Sequence, residues 1–207
     1  LRSVADQVAG AVQISELKKE EDEDRERMQL LQRASMEMLW IARRSEDDFW
    51  LTVLTIATAN FGMGFNRALL FLSKENREIL QGRAGVGTNN TQEALRHWKR
   101  DEKLKKDLTS FLSAVEAGKV RLTPFHKLAR EVDISLGELG KETREKLETS
   151  RIIKIKSADL PKRLPVSIIQ QFELSDCALL SIGTGNYISG LVIVDNKHNQ
   201  KPLNDKS

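Results

Sequence analysis

The side chains able to do chemistry in this chain are few and scattered. His97, His126 and His198 stand far apart. None has a second histidine at a helical ligand spacing, so no metal site is expected. Cys177 follows Asp176 and opens an apolar run. As a thiolate it would be a nucleophile; as a thiol it is a small buried hydrophobe, which is the default reading. Ser181 and Ser189 have no histidine nearby in sequence to activate them. Gly62-Met63-Gly64 lacks the later glycine and the preceding strand of a dinucleotide fingerprint, and no phosphate loop ending in Gly-Lys-Ser/Thr occurs. Glycines 82, 85 and 87 fit strand curvature or a close backbone approach better than a phosphate cradle. Arg67 stands between Asn66 and Ala68 at the head of an apolar run. It must snorkel, pair with a carboxylate, or meet a ligand anion. Asp195 and Asn196 are suited to fixing the turn after the last strand. Trp98 reads as an anchor in a core rather than a stacking platform.

These residues need elements to place them. The stretch Phe65–Leu72 is apolar at every position from Ala68 onward, with Phe65, Leu69 and Phe71 expected on one face and Ala68, Leu70 and Leu72 on the other. A strand apolar on both faces is a central strand. Residues 78–86 form its hairpin partner. Further strands are expected over 151–156, where lysines suit an edge, and over 176–182 and 187–195. The last is apolar on both faces through Leu191–Val194 and belongs beside 65–73. Ser45 can cap a helix with Glu46, Asp47 and Asp48 in its first turn. Residues 88–150 read as a helical insert between the second and third strands, begun by an Asn90…Glu93 cap, with helices over 124–132 and 142–149. Within it the spaced apolars Ile134, Leu136 and Leu139 give only weak signals of order. Long connections of this kind form lids and binding surfaces.

The N-terminal 44 residues have helical apolar spacing on either side of the acidic run Glu20–Asp24. Unbroken, such a helix would be about 65 Å long, too long for a domain of this size to bury alone. A partner helix in a homodimeric coiled coil through residues 1–44 is the leading expectation, and a single amphipathic helix packed on the domain is the alternative. The chain begins with Leu inside this pattern, as a fragment of a longer protein would.

Composition narrows the class. With 33 basic and 30 acidic residues the net charge is +3, too balanced to point to nucleic acid. The basic stretch 99–106 is mixed with acids and reads as a solvated surface. Hydrophobic residues make up 40% of the chain, enough for a packed core. The lone cysteine excludes an internal disulfide framework and fits a reducing, cytoplasmic setting. Apolar runs fall short of the roughly 20 residues of a membrane span, so no membrane contact is expected.

Phe65–Asn66–Arg67–Ala68, Leu80–Gln81–Gly82–Arg83, Gly85–Val86–Gly87, Glu93–Ala94 with Trp98, and Gly190–Asn196 occur in the order and spacing of a GAF domain. The chain resembles the type found in bacterial sensor histidine kinases and related signalling proteins, over about residues 36–205. Leu1–Val12 is similar to the helix that ends many GAF domains, which implies a preceding sensor domain; the alternative is that residues 1–44 are a helix leading into this one. The resemblance implies an α+β fold: a central antiparallel sheet of five or six strands flanked by helices, with a long N-terminal helix. It divides the chain into a signalling helix over 1–44 and a sensor domain over 45–207.

Some GAF relatives carry a bilin on a cysteine with a histidine beside it. Cys177 is followed by Ala178, so that attachment is not matched. The several cysteines of the methionine sulfoxide reductases and the Asn-Lys-Phe-Asp-Glu signature of cyclic-nucleotide binders are absent. The implied function is a regulatory domain, not an enzyme, that binds a small ligand of unknown identity or relays conformational change to a linked output domain such as a histidine kinase. Candidate ligand contacts are Arg67, Arg83, Trp98, Cys177 and Asp195. A ligand-free dimerisation and relay module, with its pocket filled by its own side chains, is the alternative. An enzyme using Cys177 would need a low thiol pKa.

Overall fold

The computed structural model describes residues 45–58, 65–73, 78–94, 123–185 and 187–198, with scattered helical positions between 18 and 32. Trp98, most of the 1–44 segment and the basic stretch 99–106 lie outside the described residues. Within the acidic run, Glu21 and Asp22 are helical.

Helix α1 (Glu46–Thr58) starts at Ser45, whose Oγ accepts from the Asp48 amide at 3.2 Å. Its three leading carboxylates sit at the positive end of the helix dipole. Strands β1 (Arg67–Ser73) and β2 (Ile79–Val86) pair antiparallel. The chain then returns through α2 (Pro124–Arg130), capped by Thr123, to β3 (Asp133–Ser135). A 3-10 turn (Leu136–Glu138), α3 (Lys141–Thr149) and β4 (Ile152–Ile155) follow. A second 3-10 turn (Ser157–Asp159), α4 (Leu160–Arg163) and α5 (Val166–Phe172) lead to the closing pair β5 (Cys177–Ile182) and β6 (Gly190–Asp195). The result is one six-stranded antiparallel sheet in the order β3-β2-β1-β6-β5-β4. The doubly apolar strands β1 and β6 lie at its centre, and β4, with Lys154, lies at an edge.

Two expectations need correction. The 88–150 connection is not purely helical, because β3 within it pairs on the free edge of β2. Three residues are too few for a period to register, but Ile134 stands opposite Leu80 and both are fully buried. Phe65 does not share a face with Leu69 and Phe71. It precedes β1, its amide donates to the Ala57 carbonyl at 3.1 Å, and it packs with Leu54, Ala68 and Leu70. Alternation holds only inside a strand.

The sheet has two differently covered faces. Helices α2 to α5 close one, where Leu69, Phe71, Leu179, Leu191 and Ile193 meet Phe125, Leu147, Ile168 and Phe172. Helix α1 covers the other over β1 and β2, with Leu54 against Ala68, Leu70 and Ala84. A bulge in β2 serves both faces. Leu70 faces Ala84 while Phe71 faces Gly82, so Arg83 is the extra residue. One inserted residue switches the side-chain parity. Leu80 thereby faces the α2 side and Ala84 the α1 side.

Candidate functional site

Arg67, Asp195 and Cys177 form a row across β1, β6 and β5: Arg67 stands opposite Asp195, and Asp195 opposite Cys177. Their exposures are 2%, 1% and 0%. Arg67 Nε donates to Asp195 Oδ1 at 2.9 Å, and Nη2 donates to Asp195 Oδ2, giving a two-pronged ion pair. Nη1 donates to the Phe172 carbonyl at 2.7 Å and to Asn89 Oδ1 at 2.5 Å. The remaining Nη2 hydrogen points at the Glu173 carbonyl, 3.4 Å away. A guanidinium has five N–H donors, and here each has an acceptor.

The acceptors come from local features of the fold. Helix α5 ends where Glu173 turns left-handed (φ 46°). The last carbonyls of a helix lack intrahelical partners, and a cation is favourable at that negative end. Arg67 takes those of Phe172 and Glu173. Its guanidinium also lies 5.6 Å from the centre of the Phe125 ring, which meets Phe172 edge-on at 5.7 Å. Gly87, at φ 119°, lets the turn after β2 lie against β1, because a Cβ there would stand 2.8 Å from Arg67 Cγ.

That turn forms one wall of a recess of about 330 Å³. Thr88, Asn89, Asn90 and Glu93 line one side; Thr123, Pro124, Phe125 and Leu128 line the other. The polar wall is held from within. Asn90 Oδ1 accepts from the amides of Gln92 and Glu93 at 2.9 and 3.2 Å, and the Thr88 hydroxyl donates to Glu93 Oε2 at 2.7 Å. Asn89 belongs to both the recess and the Arg67 cluster.

Burial, followed by the nearby carboxylates of Asp195 and Asp176, pushes the Cys177 thiol up to about 12. The thiolate that nucleophilic chemistry requires is therefore disfavoured. Arg83 lies apart from the recess. It reaches the start of α1, with Nη2 3.3 Å from Asp47 and 3.6 Å from Glu46. Sequence reading placed Arg67, Asp195 and Cys177 on strands but could not join Arg67 to Asn89, 22 residues away, or to Phe172, 105 residues away, because neither contact leaves a spacing signal.

Beyond β6 the chain folds back on the same corner. Asp195 Oδ1 accepts from the Lys197 amide at 3.3 Å, and the Asn66 amide donates to the Asp195 carbonyl at 2.9 Å. The His198 amide donates to Asn66 Oδ1 at 2.7 Å. Lys197 pairs with Glu173, and this hydrogen-bonded ion pair holds that carboxyl below its ordinary range.

The architecture is that of a GAF-like domain. Among solved structures the chain is similar to a phycocyanobilin-bound GAF domain from a cyanobacterial phytochrome. The identity is 12%, with 87% of this chain and 84% of that chain covered at a TM-score of 0.50. It is also similar to residues 122 to 287 of a methyl-accepting chemotaxis protein, at 18% identity, 82% and 84% coverage, and a TM-score of 0.48. No family model and no curated protein matches the sequence. At such identities the phytochrome likeness establishes the fold. Among the described residues no helix is long and apolar enough to cross a membrane, and no cluster of three or more His, Cys, Asp or Glu could hold a metal ion.

Proposed function

We propose that this chain is a regulatory domain of a signalling protein, acting as a conformational relay rather than a catalyst. One observation carries the reading: the segments flanking the sheet meet at a single corner. Phe65 bonds to the last turn of α1, Asn66 bonds to Asp195, and His198 bonds to Asn66. A displacement of α1 thus acts within two residues on the chain leaving β6. The face under α2 to α5 is filled by the protein's own side chains, which suits a relay needing no ligand in its core. Residues 1–44 supply the input as a dimeric coiled coil in the cytoplasm. A linked output domain, such as a histidine kinase, reads the segment beyond β6.

The recess beside Asn89 favours a second reading, in which a small molecule supplies the input there. Arg67, already saturated, then acts behind Asn89 and Asp195 rather than on the ligand.

Native mass spectrometry of the purified protein, with and without residues 1–44, tests both. A dimer of unadorned mass that becomes monomeric on truncation supports the relay. A dimer carrying an added small mass supports the ligand-driven reading. A monomer in both forms would overturn the dimeric input.

A further inference from the structure

The imidazole of His198 joins two segments that no strand pairing connects. Its Nε2 lies 2.7 Å from the Thr88 carbonyl, and its Nδ1 lies 3.2 Å from the Thr91 hydroxyl. A carbonyl only accepts, so Nε2 carries the proton, and in the neutral ring Nδ1 accepts from Thr91. Thr88 lines the polar wall of the recess and Thr91 lies between its lining residues Asn90 and Glu93; His198 lies three residues beyond β6. The same wall is held a second time, through Asn89, by Arg67, which grips Asp195. The turn after β2 and the turn after β6 are therefore fastened at two points. Moving either turn would break these bonds and take the Asn89 acceptor from the buried Arg67 guanidinium.

We propose that His198 is a positioning residue that makes residues 87–94 and 195–198 one cooperative unit, so that whatever displaces the recess wall also redirects the chain leaving β6. The inference rests on the relay reading for its purpose but not for its test. Oligomeric state and bound mass decide the relay, whereas the clamp is decided by coupling within one subunit.

The test is a double-mutant cycle in the full chain, read by amide hydrogen exchange. Thr91→Val removes one hydroxyl at an exposed helix start. His198→Ala removes the ring, and His198→Gln restores a donor to the Thr88 carbonyl. Thr91→Val should speed exchange in 195–198, and His198→Ala should speed exchange in 87–94. Thr91→Val should change exchange roughly fivefold, the shift expected from one ordinary hydrogen bond, and His198→Ala, which removes both ring bonds, should change it by more. The double variant should add little to His198→Ala, and His198→Gln, which restores the bond to the Thr88 carbonyl, should recover part of the protection. Amides of β4 and β5 serve as the folding control. If each single variant speeds exchange only in its own segment, or the effects simply add, the clamp is wrong.

Discussion

Arg67 and Asp195 stand opposite each other on the two central strands and grip each other through two parallel hydrogen bonds, with 2% and 1% of their surfaces exposed. Breaking a buried ion pair leaves an uncompensated charge. Asp195→Ala should therefore cost about 3–5 kcal/mol, read from the urea midpoint. Replacing both partners, as Arg67→Met with Asp195→Leu, should recover only part of that loss. The carbonyls of Phe172 and Glu173 would still lose their donor. Full recovery would mean that Arg67 does not tie down the end of α5.

Gly82 is the point where α2 reaches the sheet. A Cβ there would stand 1.7 Å from the Ala129 carbonyl oxygen and 2.7 Å from that of Val132. Both are backbone atoms, so a helix and a strand would have to separate. Gly82→Ala should cost about 3 kcal/mol or more, at or above the upper range for overpacking. Gly137→Ala, whose nearest neighbour would be Ser135 Oγ at 3.6 Å, should be close to neutral. Thermal melts of the two variants make the comparison.

Cys177 should be unreactive in the folded protein. Its thiol keeps its proton up to about 12, against an ordinary value of 9.0. Iodoacetamide at pH 8 should label it only after unfolding. The linkage runs the same way: above the ordinary value the unfolded chain has released a proton that the folded chain retains. This contribution to stability is present in full below pH 9.0 and is lost as pH rises toward about 12. Rapid labelling of the native protein would reopen chemistry at this residue.

His126 sets an acid-side dependence. It is 5% exposed, and its Nδ1 has no hydrogen-bond partner among the described residues. Burial, then the charge of Arg130, lowers its pKa below 6.5, against smaller opposing effects from Asp47 and the Gly85 backbone. The unfolded chain takes the proton first, so this contribution is present above pH 6.5 and is lost as pH falls. Urea midpoints should fall between roughly pH 7 and 5 in the native sequence. His126→Gln should flatten that slope without touching the loss at lower pH that Glu142 and Asp176 produce. Their ion-paired carboxyls, Glu142 with Arg163 and Lys146 and Asp176 with Lys156, are held near 2.

The architecture was legible because burial leaves a periodic mark. Leu69, Phe71, Leu191 and Ile193 alternate as central strands must, and Ser45 with its trailing acids announces a helix start. The short strand at Ile134 was not legible, since three residues show no period. The parity switch at Arg83 was hidden too: glycines at 82 and 85 pointed to strand curvature or a close approach, without marking where the extra residue sits. The corner built on Arg67 was half legible. A lone arginine on an apolar strand demands partners, and Asp195 at the end of another central strand is a natural one. The rest of its acceptors are backbone carbonyls and the Asn89 amide, groups that every chain carries and no sequence pattern advertises.

In the proposed relay, motion at α1 reaches the chain leaving β6 through Phe65, Asn66 and His198. Amide hydrogen exchange over residues 195–198, compared between the protein with and without residues 1–44, tests it most directly. The relay predicts faster exchange there after truncation, while the β4–β5 pairing stays as protected as before. Identical exchange at 195–198 in both forms would contradict it.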